Sequence, residues 1–412
     1  MGISLLSVFL FALVSPIVID FTIFHDQQHS LYYGMIFFLL ISMPVYDLYR
    51  KRFAVIPRLR IFTVWLIIAL TIGLGCVVYI NDRHKIAPTY RVNDIVIQQE
   101  VAIRMLLTNK NPYKETYFNT PLEQFNFSPS QKNPALYHFV MEPFYLVSAV
   151  PFFTIQSRTL GYFDARVPLY LLFLVMLIGG YVFIKDKENK LLFITLMSFN
   201  PMTMRFLLEG RSDMFMFPFL FGAFICLSKG KFTIASILTA LAFAIKQTAW
   251  PFFPLFVYLL YLKTKSWKVV MKQIVLIAII FGAIVLPFFI WNPHAFLDST
   301  LFYLTGNTAH SYPISGYGFS TLLQDINVIK NPNSYYPFII WQILFALPVL
   351  FVLLRFIKKH PTTRVLIATY AIFLFVFWYF SRYFNYSHIG FISTVLITAY
   401  FFPEEDKTSK TK

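Results

Sequence analysis

Long apolar runs recur along almost the whole chain, near residues 3–24, 30–48, 61–80, 135–156, 167–184, 191–208, 212–228, 232–246, 249–262, 271–291, 337–354, 364–380 and 386–402. A helix needs about 20 mainly apolar residues to cross roughly 30 Å of hydrocarbon. A water-soluble fold has too little interior for so many such runs in 412 residues, of which 58% are hydrophobic and 13% charged. The sequence therefore predicts an all-α, polytopic integral membrane protein, with residues 1–412 forming a single transmembrane domain. The first basic residue is Arg50, so the opening run lacks the basic flank of a cleavable signal and is expected to remain a spanning helix.

The formal charge of +16 does not point to nucleic acid. Its basic residues are scattered over short loops between apolar runs, where membrane topology accounts for them. Cys76 and Cys226 lie inside apolar runs without metal-ligand spacing and read as packing residues.

The most basic short loop, "RKRFAVIPRLR", carries Arg50, Lys51, Arg52, Arg58 and Arg60 and is expected on the cytoplasmic side. The loops "KTKSWK" and "RFIKKHPTTR" and the tail "EEDKTSKTK" are expected there too. Counting from the two ends agrees only if one run does not cross. The run 135–156 is the natural candidate, because Pro143 and Pro151 interrupt it and His138 and Glu142 are costly at mid-membrane. The expectation is about twelve spans with both termini cytoplasmic. An external region is then predicted over 81–166, with an amphipathic helix at 94–108 and a re-entrant or interfacial segment at 135–156. A second long external loop is expected over 292–336.

This topology gathers polar groups on the outer face. Asp94, Glu100 and Arg104 lie on the amphipathic helix, whose apolar positions Val101, Ala102, Met105 and Leu106 follow helical spacing. "EGRSD" contributes Glu209, Arg211 and Asp213, "AIKQTAWP" contributes Lys246, and "SRYFNYSH" contributes Arg382 and His388. The loop from 292 adds Asp298, His310, Tyr312 and Tyr317. Carboxylates, fixed cations and aromatic rings on one face suit a reaction between an anionic lipid and a hydroxylated acceptor. Plainer readings stand beside this one: Asn93 or Asp94 as an N-cap, Lys246 snorkelling from a helix end, and Arg211 with Asp213 as a structural pair. His138, His294, His310 and His388 form no HExxH-type pair.

The stretch "VNDIVIQQEVAIRMLLTNKNPY" resembles the first outer loop of the GT-C superfamily of membrane glycosyltransferases. The similarity is to the polyprenyl-phosphate-sugar-dependent branch, which includes aminoarabinose transferases and protein O-mannosyltransferases. Asp94 matches the acid that opens the loop, Glu100 a second acid, Ala102 the alanine of the following helix, and Asn111 to Tyr113 the "NPY". "ALYHFVMEPF", "FDARVPLYLLFL", "GRSD" and "LTALAFAIKQTAWPFFPL" resemble later family segments in the family's order, over about 61–330. Two departures are Ile95 where a second acid commonly follows the first, and Asn109-Lys110 in place of a glycine before "NPY".

The resemblance implies sugar transfer from a polyprenyl-phosphate donor to a glycan, lipid or protein acceptor on the outer face, with inversion. Asp94 would act as the base, with Glu100 beside it. Lys246, with Arg211 or Arg382, would hold the donor phosphate, and Asp213, His310 and Tyr317 would serve the acceptor or a cation. A divalent cation on Glu100 or Asp213 is the cofactor this reading accommodates. A polysaccharide polymerase or ligase, a non-catalytic assembly subunit and a secondary transporter share the many spans and remain alternatives.

Overall fold

The computed structural model describes residues 2–20, 29–128 and 131–405. The end of the first apolar run and most of the charged tail lie outside the described residues.

The chain opens with α1 (Leu5–Asp20) and α2 (Ser30–Tyr49). α3 (Ile56–Ile68) and α4 (Leu74–Ile86) run on through a π turn at Ala69–Gly73 as one helix. A layer then caps one end of the bundle: α5 (Asp94–Leu107), a hairpin of β1 (Asn126–Ser128) and β2 (Gln131–Lys132), α6 (Pro143–Val147) and α7 (Val150–Thr159). The bundle resumes with α8 (Arg166–Phe183), α9 (Lys187–Phe199), the short α10 (Met204–Glu209), α11 (Ser212–Ser228), α12 (Phe232–Phe243), α13 (Phe252–Thr264) and α14 (Trp267–Trp291). α15 (Pro293–Leu297), α16 (Tyr303–Thr305), β3 (Ser315–Gly316) and α17 (Phe319–Asp325) return to the cap layer. α18 (Phe338–Lys359), α19 (Thr363–Tyr379), β4 (Tyr383–Phe384) and α20 (Tyr386–Phe401) close the fold. β3 pairs in parallel with β4 and stitches the second cap loop to the turn between the last two helices.

Among the described residues, five helices are long and apolar enough to cross a membrane: Ser30–Tyr49, Ile56–Ile86, Arg166–Phe183, Trp267–Trp291 and Phe338–Lys359. Their outward sides are apolar. Ile279, Ile290, Leu344 and Val352 are all more than half exposed, an arrangement that water disfavours and lipid accepts. The protein is an all-α integral membrane protein. Several of the other apolar runs yield shorter helices than the sequence suggests. α9 and α13 have 13 residues each and α12 has 12, about 18–20 Å at 1.5 Å per residue. The run 191–208 breaks because Asn200 precedes Pro201 and takes an extended conformation (ψ 114°). Helix length therefore identifies five spans, short of twelve.

The run 135–156 holds no helix longer than a few turns. α6 has five residues and α7 begins within it, with a proline in the first turn of each. The two ends of the bundle are fixed by separate ion pairs. Away from the cap, Arg60 holds Glu188 (2.5 and 3.0 Å) and Asp47 (3.1 Å), and Lys263 holds Glu405 (2.6 Å). α8 and α9 pack closely, the Phe193 ring filling the space a side chain at Gly180 would need.

Candidate active site

The cap layer is built around α5. Asn93, with extended backbone (ψ 148°), is its N-cap and accepts from the Ile95 amide (3.4 Å). Its own amide donates to the Glu209 carbonyl (2.9 Å), which fixes the start of α5 against the end of α10. Asp94, the first residue of the helix, shares the Ile95 amide with Asn93. Its Oδ1 accepts from the Ile95 amide (2.9 Å) and its Oδ2 from the Asn133 side-chain amide (2.9 Å), and the residue stays half-buried.

Two glutamines give α5 its seat. Gln98 Nε2 donates to the carbonyls of Ala135 (2.6 Å) and His138 (2.7 Å), and Gln99 Nε2 to that of Tyr145 (2.5 Å). One turn on, Glu100 accepts both nitrogens of Arg83 at 2.7 Å and the Ala165 amide at 3.1 Å. Arg83 also reaches Asp164 (3.0 Å), and Asp164 pairs with Arg166 (2.7 Å). Burial alone would push the Asp164 carboxyl up, but Arg166 beside it, with His84 and Arg83, holds it well below the usual carboxylate range. The network joins the end of α4, α5 and the start of α8. Glu100 is thus committed to Arg83, which accounts for the burial of its carboxylate.

Gly210, in the left-handed region (φ +88°), turns α10 into α11. A side chain there would meet Val96 of α5 and Arg166, so glycine is required. This tight turn delivers Arg211 and Asp213 to the site. Asp213, in the first turn of α11, gains from the helix dipole and accepts Lys246 Nζ on both oxygens at 2.8 Å. Arg211 lies over the Phe206 ring (4.7 Å), and among the described residues its Nε is buried without a hydrogen-bond partner.

These charges converge on an aromatic chamber. The rings of Tyr303 and Tyr312 lie 6.3 Å apart, and those of Tyr312 and Tyr383 4.8 Å apart. Burial pushes the Tyr312 hydroxyl above its ordinary range, the charge of Asp94 adds to the shift, and Arg211 opposes it. Burial also raises Tyr303 and Tyr383, which feel Asp94 and Asp213 respectively. His388 feels Asp213, Lys246 and Arg211. Asp94, Arg211, Asp213 and Lys246 are therefore all within electrostatic reach of this one tyrosine and histidine cluster.

The remaining sequence candidates lie elsewhere or are otherwise engaged. Arg382 donates to the carbonyls of Tyr312 (2.5 Å), Ser334 (2.9 Å) and Pro332 (3.1 Å). Each of its three nitrogens donates to a carbonyl, which ties its own turn to the segments at Tyr312 and 332–334. His310 stacks on Tyr137 (3.6 Å, 10° between planes) at the outer rim. Tyr317 is 66% exposed and is tied by its backbone amide to Phe384. No contact among the described residues joins Asp213, His310 and Tyr317. The two carboxylates considered for a cation are each neutralised by a protein cation, and no cluster of three His, Cys, Asp or Glu occurs among the described residues. The donor set does not fit a bound divalent metal.

Sequence reasoning missed Gln98, Gln99, Asn133 and the Arg83–Asp164–Arg166 network. The only local signal for them was polar residues at positions that helical spacing assigns to the buried face of α5.

The model of glycosyltransferase family 87 matches residues 139–381. That segment contains Arg211, Asp213 and Lys246; Asp94 and Glu100 precede it. No curated protein and no solved structure matches the chain.

Proposed function

The chain belongs to glycosyltransferase family 87, and we propose that it moves a sugar from a polyprenyl-phosphate-linked donor to an acceptor on the outer face of the membrane, with inversion at the anomeric carbon. In this reading the bundle crosses the membrane twelve times, through α1, α2, the joined α3–α4, α8, α9, α11 to α14, and α18 to α20. Both termini are cytoplasmic and the cap layer is external. The position of the Arg60–Glu188 and Lys263–Glu405 pairs at the helix ends remote from the cap supports that polarity.

Asp94 takes the proton from the acceptor hydroxyl as its oxygen attacks the anomeric carbon. The bond from that carbon to the phosphate oxygen breaks, and the electron pair leaves with the polyprenyl phosphate. Arg211 and Lys246 stabilise the charge that develops there. Asp213 holds the Lys246 ammonium in place through both of its oxygens. Arg382 is given no direct part here, since each of its nitrogens already donates to a backbone carbonyl. Glu100 acts through Arg83 by fixing the seat of α5. No step runs through a metal ion.

The observation that carries the reading is Arg211: a cation with an unspent buried donor, beside a lysine already aligned by Asp213 and across the chamber from a half-buried carboxylate. A transporter or an assembly subunit has no need of that combination. The test is incubation of the purified chain in proteoliposomes with radiolabelled polyprenyl-phosphate sugars and a membrane extract as acceptor source. Consumption of one lipid donor with label appearing in product is expected. Donors that stay intact across the panel would overturn the reading.

A further inference from the structure

We propose that the cleft beside Asp94, between Lys132 and His310, binds the acceptor, and that this acceptor is a sugar ring carrying a negative charge. The proposal rests on the transferase reading above and supplies the substrate class that it leaves open.

The cleft has a volume of about 350 Å³ and is lined by Gln131, Lys132, Tyr137, His310, Ser311 and Asn333, with Pro134 and Ala309. That is near the lower end of small-molecule sites, about 300–1,000 Å³, and suits one sugar unit rather than a lipid tail. Its walls supply side-chain amides, a hydroxyl, an imidazole and an ammonium, and no carboxylate. Such a lining offers nothing to a cation and many hydrogen bonds to hydroxyls. Lys132 has no ion pair among the described residues, and its ammonium lies 5.0 Å from the Phe118 ring. It is available to a carboxylate or phosphate substituent. Tyr137 covers one face of the exposed His310 ring, leaving the other as an aromatic platform for a sugar.

The cleft shares both walls with the catalytic chamber. Asn133, between Lys132 and Pro134, donates to Asp94 (2.9 Å). On the opposite wall, Ser311 precedes Tyr312, whose hydroxyl feels Asp94. A ring seated here lies against the segment whose Asn133 holds Asp94, the candidate base.

The walls are also preorganised. Gln131 Nε2 donates to Asn333 (3.1 Å), Ser311 and Thr308 exchange hydrogen bonds at 2.9 Å, and Gln98 fixes the segment bearing Tyr137 through the carbonyls of Ala135 and His138. Little ordering is left for the ligand to induce.

The test is saturation-transfer NMR on the full chain in detergent, with methyl glucuronide and methyl glucoside as probes. Both should receive saturation, and the glucuronide should bind more tightly. Lys132→Glu should weaken the glucuronide about tenfold, the cost of turning a charge-assisted contact into a repulsive one, and leave the glucoside unchanged. Lys132→Arg should restore most of the loss. Binding of the polyprenyl-phosphate donor should be equal in all three proteins. Equal affinity for the two probes, or no response to Lys132→Glu, overturns this inference. In that case consumption of the lipid donor by the wild-type chain would still uphold the transferase reading. Failure to consume any donor with intact probe binding would instead remove the transferase reading and leave a sugar-binding cleft.

Discussion

Arg211 and Arg382 carry the same group to the same end of the bundle and spend it differently. Arg382 donates to carbonyls 48 to 70 residues away in sequence, whereas Arg211 keeps a buried donor unpartnered. Arg382→Lys should therefore lower the melting temperature, because an ammonium cannot span three acceptors in a guanidinium's geometry. Donor affinity in the folded fraction should be preserved. Arg211→Ala should do the opposite, weakening donor binding by about ten- to a hundredfold, the range for a lost charge-assisted contact of ~1.5–3 kcal/mol, with little change in melting. Calorimetry and a donor titration on both variants check this pair. An arginine next to an apolar run is readable from sequence, but its partners are not, since the acceptors that claim Arg382 come from loops that only the folded chain brings together. Asp94 is a similar case. The sequence offered it or Asn93 as the cap; the backbone makes Asn93 the N-cap, and the Ile95 amide is shared between the two side chains.

α5 shows how much of an element periodicity can reveal. The spacing of Val101, Ala102, Met105 and Leu106 announces a helix, and the chain is helical over Asp94–Leu107, but nothing in that spacing tells that Gln98, Gln99 and Glu100 are buried with it. Glu100→Gln removes one side of the Arg83 pair, and breaking a buried pair costs roughly 3–5 kcal/mol; Asp164, which still holds Arg83, should keep the loss toward the lower end. Chemical denaturation in detergent measures it. The clip between α6 and the turn after α12 gives a second test. Glu142 and Phe144 donate their amides to the carbonyls of Ile245 and Ala244, at 3.1 and 2.8 Å, and Glu142 Oε1 accepts from Gln247 (2.9 Å), next to Lys246. Burial pushes the Glu142 carboxyl up to about 8, although the Gln247 bond lowers it. A carboxyl raised on folding favours the folded state while both states are protonated. Its contribution is complete below the unfolded value near 4.5 and is lost as pH rises through about 8. Melting temperatures should therefore fall between pH 5 and pH 8, and Glu142→Gln should flatten that slope.

For the whole molecule, the sequence conveyed the class and the order of the elements better than the number of spans. Apolar runs do announce helices, but Asn200-Pro201 ends one early and 12- or 13-residue helices fall short of a bilayer's thickness. Packing and loop charge then have to define the crossing. Twelve crossings predict that cysteines placed at Thr120 and Thr159, in a background lacking Cys76 and Cys226, react with an impermeant thiol reagent from one side of the membrane. A cysteine at Lys359 should react from the other. Labelling of Thr120 and Thr159 from opposite sides would divide the cap layer and separate the residues of the site. The account's central claim is that one carboxylate at the start of α5 performs the chemistry while cations across the chamber hold the donor. Asp94→Asn keeps the size of the side chain, the Asn93 cap and the Oδ1 contact to Ile95, and replaces the Oδ2 proton acceptor with an amide donor, at the cost of the hydrogen bond from Asn133. The most direct measurement is single-turnover transfer from a radiolabelled polyprenyl-phosphate sugar, with donor affinity measured on the same preparations. Donor binding equal to wild type with transfer slowed by about 10²-fold or more is the predicted result, and transfer at the wild-type rate by Asp94→Asn would contradict the account.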